Sequence, residues 1–139
     1  MKFIIASDHA GRDVKERFKD TLESLGVEYE DLSPENGEGD DYPDYAEKVV
    51  SKVKETGCMG FLSCGTGMGV SMAANRNIGI RAALVHSVED AELARKHNDA
   101  NILVLGNNKM YNLKEITKTF MNTSFEGGRH ERRVKKLDE

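Results

Sequence analysis

Short uncharged strands alternate five times with amphipathic helices along this chain. That alternation predicts a single-domain α/β protein: a doubly wound, five-stranded parallel sheet of the Rossmann or flavodoxin type, with a C-terminal helical tail. Glycines that close the periodic segments (Gly26, Gly57) agree with it. So does a length of 139 residues, which suits one domain over residues 1–139 with a core of its own.

The elements follow in order. Lys2 to Ala6 reads as a short buried strand ending at Ser7-Asp8-His9. Val14, Phe18, Leu22 and Leu25 then recur at helical spacing up to Gly26. Val27 to Leu32 returns to strand character, and residues 33–41 form a polar loop. Asp44 caps a helix over Tyr45 to Glu55 whose inner face is Ala46, Val49, Val50 and Val53. Met59 to Ser63 is the third strand, followed by a glycine loop and a helix through Val70, Met72 and Ala73. Ile80 to Val85, Val88 to His97, Ile102 to Leu105 and Leu113 to Met121 complete the alternation, and Gly127-Gly128 opens a basic tail.

Composition narrows function. A net charge of −4 offers no general attraction to nucleic acid or to an anionic membrane, so any anion site must be a local basic cluster. The N-terminal apolar run, Phe3 to Ala6, is too short for a membrane span or a signal-peptide core. Two cysteines without a secretion signal point to reduced thiols in a cytoplasm. No CxxC pair occurs and the four histidines are scattered, so no structural metal site is expected.

In a doubly wound sheet, ligands sit at the carboxyl ends of the strands. There the stretch "CGTGMG" sets Cys64 before Gly65, Thr66, Gly67 and Gly69 at a helix start. Open backbone N–H groups and the helix dipole suit an anion or oxyanion, and the same field favours a thiolate. The loop lacks the lysine of a P-loop, and Val70 stands where a cysteine phosphatase would need arginine. The alternative is an inert cysteine buried at a tight turn. Asp8 and His9 lie at the same edge, as a site pair or as a cap and a surface histidine. Tyr42 lines a sugar pocket or packs in a turn, while Asp40, Asp41 and Asp44 read as solvated or capping.

His97 precedes strand five and so lies at the opposite edge, about 15 Å or more from Cys64 within one subunit. If both serve one site, His97 comes from a second subunit. From spacing alone the simpler reading is a helix end, with His97 complementing the dipole and Asn98 turning the chain. Arg129 and Arg133 share a helical face, as a phosphate clamp or as a solvated basic tail. Cys58, Met59, Met68 and Met72 read as apolar filling. His86 has no partner in the sequence.

The motifs "SDHAG", "DYPDYA", "CGTGMG", "AANR", "GIRAAL", "HNDANILVLG" and "GGRHERR" occur in that order. Together they resemble the type-B ribose-5-phosphate isomerases, the family that also holds allose- and galactose-6-phosphate isomerases, over residues 2–137. The resemblance implies an aldose–ketose isomerase of the pentose phosphate pathway, free of metal and nucleotide. By the same resemblance Cys64 is the proton-transferring base, and Thr66 and His97 open the sugar ring. Asp8 and His9 hold the sugar, Gly65, Gly67 and Gly69 stabilise the enediolate, and Arg129 and Arg133 bind the phosphate; Tyr42 and Asn98 are expected to bind substrate beside them. It further implies homodimers with shared sites and leaves tetramers open. Leu32-Ser33 departs from the family, where a glycine often follows the second strand, and Val70 leaves no carboxylate to replace the cysteine. An isomerase of a six-carbon sugar phosphate such as allose 6-phosphate is the nearest alternative. A receiver-like signalling module on the same fold is more distant, because it would want an aspartate where Cys64 stands and a lysine where Gly106 stands.

Overall fold

The computed structural model describes residues 1–139. β1 (Lys2–Ser7) leads through a 3-10 turn (His9–Gly11) into α1 (Arg12–Ser24), β2 (Glu28–Asp31) and α2 (Tyr42–Thr56). β3 (Met59–Cys64), α3 (Met68–Asn75), β4 (Ala82–Leu84) and α4 (Val88–Asn98) follow, then β5 (Ile102–Gly106), α5 (Leu113–Asn122) and α6 (Arg129–Leu137). All strand pairs are parallel, in the order β2-β1-β3-β5-β4. The expected doubly wound sheet is present, with α6 as its helical tail.

Side-chain alternation divides the core in two. Phe3, Ile5, Phe61, Leu103 and Leu105 face α1, α4 and α5, where Phe18 stacks on Phe61 at 4.1 Å between ring centroids. Ile4, Ala6, Leu62, Cys64, Ile102 and Val104 face α2 and α3. Because β3 returns on the far side of β1 from β2, a crevice opens between the carboxyl ends of β1 and β3.

Several expected boundaries move. α2 starts at Tyr42, three residues before the expected Tyr45, because Pro43 fits the first turn, where no N–H is needed. Asp44 therefore does not cap the helix; it lies in the first turn, where its charge suits the dipole. The αL residue ending α4 is Asp99 (φ 48°), one position after Asn98, and its carboxylate meets Arg81 and Arg95. Met68 and Met72 are not filling: they are 55% and 69% exposed, and nearby Ile78 is 64% exposed. α3 turns Val70 and Ala74 inward, so positions 68 and 72 occupy its other face.

Residues 33–41 are tied down from beneath. Lys15, fully buried, donates to both oxygens of Asp31 (3.1 and 3.0 Å) and to the Ser33 carbonyl (2.6 Å). Ser33 Oγ in turn accepts from the Ser7 amide (2.9 Å). Burial alone would raise the Asp31 carboxyl; the Ser33 N–H and the two lysines, Lys15 and Lys19, outweigh it and hold the group below the ordinary carboxylate range. A depressed carboxylate contributes stability above its unfolded value, near pH 4, and loses it as pH falls through the lower folded value. Asp31→Asn is therefore expected to cost about 3 kcal/mol at neutral pH by stranding Lys15. Urea unfolding below pH 5 should show a smaller acid-induced loss in the variant than in the wild type.

Candidate active site

The crevice between β1 and β3 gathers most of the expected site. Ser7 and Ser63 are register partners, so the residues that follow them emerge side by side. Asp8, buried, accepts from the Gly11 N–H (2.9 Å); burial pushes its carboxyl up, opposed by that N–H and by His9. Gly11 itself lies so close to β3 that an added Cβ would fall 2.5 Å from the Ser63 carbonyl carbon.

Cys64 ends β3 and is 5% exposed. Its Sγ accepts from the Gly67 N–H at 3.2 Å. Gly67 turns the chain with φ 80°, and a Cβ there would meet Leu84 at 2.6 Å, so the turn requires glycine. Thr66 is exposed and its Oγ1 accepts from the Met68 N–H (3.2 Å) at the start of α3. Asn107 ties the loop from behind: its N–H reaches the carbonyls of Cys64 (3.1 Å) and Gly65 (3.0 Å), and its Oδ1 accepts from the Val14 amide (2.9 Å). Tyr42 lies against this loop, because a Cβ on Gly69 would sit 2.5 Å from its ring.

The reading of Asp40 as merely solvated or capping is overturned. Its carboxylate binds the His9 backbone and ring together with Asn36 and Tyr45, and these donors hold it well below the ordinary carboxylate range against the opposing effect of burial. Neither Asn36 nor Asn107 carried a signal in the sequence, since each acts through contacts across the fold.

His97, Asn98, Arg129 and Arg133 are not brought to Cys64 within the chain. Cys64 pairs with Gly106 and Gly60 with Ile102, so the start of β5 is four residues, about 13 Å, from the level of the sulfur. His97 lies still further, at the end of α4. There its ring stacks on His130 (4.1 Å, 15° between planes), with Arg129 and Arg133 exposed on the same α6. His130, absent from the expected site residues, is a finding of the structure. Its Nε2 is buried without a hydrogen-bond partner, and burial, then the proximity of His97 and Arg129, lowers its proton affinity.

Two groups have the donor types for a metal: His97, Glu126 and His130, and Asp8, His9 and Asp40. The nearly parallel imidazoles of the first keep their in-plane lone pairs from converging on one ion at the usual ~2.1 Å. In the second, Asp40 already holds His9 Nδ1.

The family model described as Ribose/Galactose Isomerase matches residues 3–137. The chain is 42% identical to a putative sugar phosphate isomerase of Bacillus subtilis, over 100% of this chain and 96% of the relative. Ribose-5-phosphate isomerase B of Escherichia coli is 37% identical, over 98% and 93%. Among solved structures, a ribose 5-phosphate isomerase of Thermotoga maritima superposes with a TM-score of 0.92 at 49% identity, covering 99% of this chain and 97% of that one. Ribose-5-phosphate isomerase B of Mycoplasma genitalium, with bound ribulose-5-phosphate, gives 0.88 at 42% identity, over 98% and 93%.

The contact between Gly69 and Tyr42 is open to a double-mutant cycle. Gly69→Ala should destabilise the wild type by about 1–3 kcal/mol through overpacking. In a Tyr42→Ala background the same change should be neutral or stabilising by about 0.5–1 kcal/mol, since alanine suits a helix better. Chemical denaturation of the four proteins measures the difference.

Proposed function

The chain belongs to the ribose/galactose isomerase family, and on that premise we propose that it interconverts ribose 5-phosphate and ribulose 5-phosphate through an enediolate, with Cys64 as the base. The observation that carries the reading is the sulfur of Cys64 at the β1/β3 crevice, bonded to the Gly67 amide, with Tyr42 packed against Gly69 of the same loop. The relatives named as ribose-5-phosphate isomerase B, one of them holding ribulose-5-phosphate, support the choice of sugar.

Isomerisation has three requirements. The furanose must open, which takes a proton at the ring oxygen and releases one at the anomeric hydroxyl; His97 and Thr66 serve here. A thiolate at Cys64 then removes the C2 proton of the open aldose, forming the enediolate; a proton passes from O2 to O1 as the sulfur returns its own to C1, which leaves the C2 carbonyl of the ketose. The charge that develops on oxygen is met by the backbone N–H groups of Gly69 and Val70, each worth ~2.7–4 kcal/mol of barrier in comparable sites. Shielding from water protects the intermediate, and the low exposure of Cys64 suits this. Asp8, Tyr42 and Asn98 hold the sugar hydroxyls, and His9, Arg129 and Arg133 hold the phosphate.

His97, Asn98, Arg129 and Arg133 enter this site from a second copy of the chain. The separation of Cys64 from His97 within one chain supports that arrangement. So does the exposed apolar face of Met68 and Met72 beside the glycine loop, with Ile78 nearby, a surface suited to a partner. The active form is a homodimer with two shared sites, working in the pentose phosphate pathway of the cytoplasm.

Purified protein should turn over ribose 5-phosphate in preference to allose 6-phosphate; the reverse preference would reassign the substrate to six-carbon sugars. Cys64→Ala should lose at least about 10³-fold in kcat while retaining inorganic phosphate binding. Mixed Cys64→Ala and His97→Ala subunits should regain part of the activity, because a hybrid dimer carries one intact site. Hybrids that form and stay inactive would remove the shared-site reading.

A further inference from the structure

At the mouth of the crevice, the Asp40 carboxylate joins three parts of the chain. Oδ1 accepts from the His9 backbone N–H (2.9 Å) and meets the ring Nδ1 (2.5 Å). Oδ2 accepts from the Asn36 amide (3.0 Å) and from the Tyr45 hydroxyl (2.7 Å) on α2. Asn36 is anchored in turn: it donates to the Ser7 carbonyl (2.9 Å) and accepts from Arg12 (2.8 Å). The carboxylate is sheltered, with its side chain 13% exposed, whereas the His9 ring is 50% exposed. A fixed acid thus supports a ring whose other nitrogen, Nε2, makes no hydrogen bond within the chain. Neighbouring Asp41 and Asp44 form no such contacts: the first gives α2 no side-chain cap bond, and the second is an exposed residue of its first turn.

We infer that Asp40 is the positioning residue for His9: by binding both its amide and Nδ1–H, it holds the ring in one orientation, with Nε2 directed at the substrate phosphate, and places a negative charge beside it that favours the protonated ring. The inference rests on the isomerase reading and adds to it a carboxylate–imidazolium pair as a determinant of phosphate capture. A phosphate dianion gains most from a donor that is both charged and pre-oriented. The charged groups facing His9 favour the cation: Asp8 beside it, and Asp40 and Glu38 from residues 33–41. Tyr45, from α2, is bonded to Asp40 and its own ionisation is suppressed by that contact. The His9 titration is accordingly displaced upward, chiefly by the hydrogen bond to Asp40 and against a smaller effect of burial. With the midpoint raised, the ring stays charged to a higher pH than a free imidazole, and phosphate affinity persists with it.

The test compares wild type with Asp40→Asn, which keeps shape and removes charge. In the ligand-free proteins, the NMR titration of His9 Cε1–H should show a lower midpoint in Asp40→Asn. Tyr45→Phe, which takes a bond from the same carboxylate and leaves its charge, should keep the midpoint near wild type. With ribose 5-phosphate, KM should rise about fivefold with kcat within about twofold, and the alkaline rise of KM should begin at lower pH. Should Asp40→Asn misfold by circular dichroism, Asp40→Ser supports the same readings. An unmoved His9 midpoint overturns the inference, and so does a loss confined to kcat. Wild-type protein without turnover of ribose 5-phosphate would count against the isomerase reading alone, because the ligand-free titration decides the role of Asp40 by itself.

Discussion

Parallel strands send every carboxyl end to one edge of the sheet and every amino end to the other. From that constraint the layout of this protein follows. Cys64 closes β3 at one edge, and His97 closes α4 where the chain is about to enter β5 from the other. No local rearrangement can bring them together, because the strand between is held by ladders on both sides. Within one chain the expected site residues therefore fall into two separate groups. One is a thiol in a crevice of backbone amides; the other is a stacked His97–His130 pair beside exposed arginines. The proposed homodimer would join the two, with the exposed methionines of α3 bordering the Cys64 group.

Around Cys64 the structure relies on the absence of side chains. At Gly11 the turn after β1 touches the end of β3, at Gly67 the loop passes under Leu84, and at Gly69 the first turn of α3 meets Tyr42. Asn107 holds the Cys64 and Gly65 carbonyls from behind.

Residues 33–41 show how a polar loop becomes part of such a site. Lys15 and Ser33 secure its start to β1 and α1, and Asn36 and Asp40 secure its end to β1 and His9. Hydrogen bonds do the work that apolar packing does elsewhere. Ser33 supplies both a hydroxyl and a carbonyl to that network.

The sequence by itself determined the alternation of strands and helices, the ligand edge, and the candidacy of Cys64, Asp8, His9 and Tyr42. Hydrophobic period and glycine placement are local properties, and the topology of a parallel sheet converts them into position. It also placed His97 on the opposite edge, for the same reason. It did not reveal Asp40, Asn36, Asn107 or the stacking of His130 on His97. Their roles come from partners 29 to 93 positions away in the chain. Nor did it reveal that Met68 and Met72 face outward, because α3 is apolar on more than one side and only its packing against the sheet chooses which side is covered. Periodicity records which residues prefer burial, whereas the choice of neighbours is made when separate segments meet.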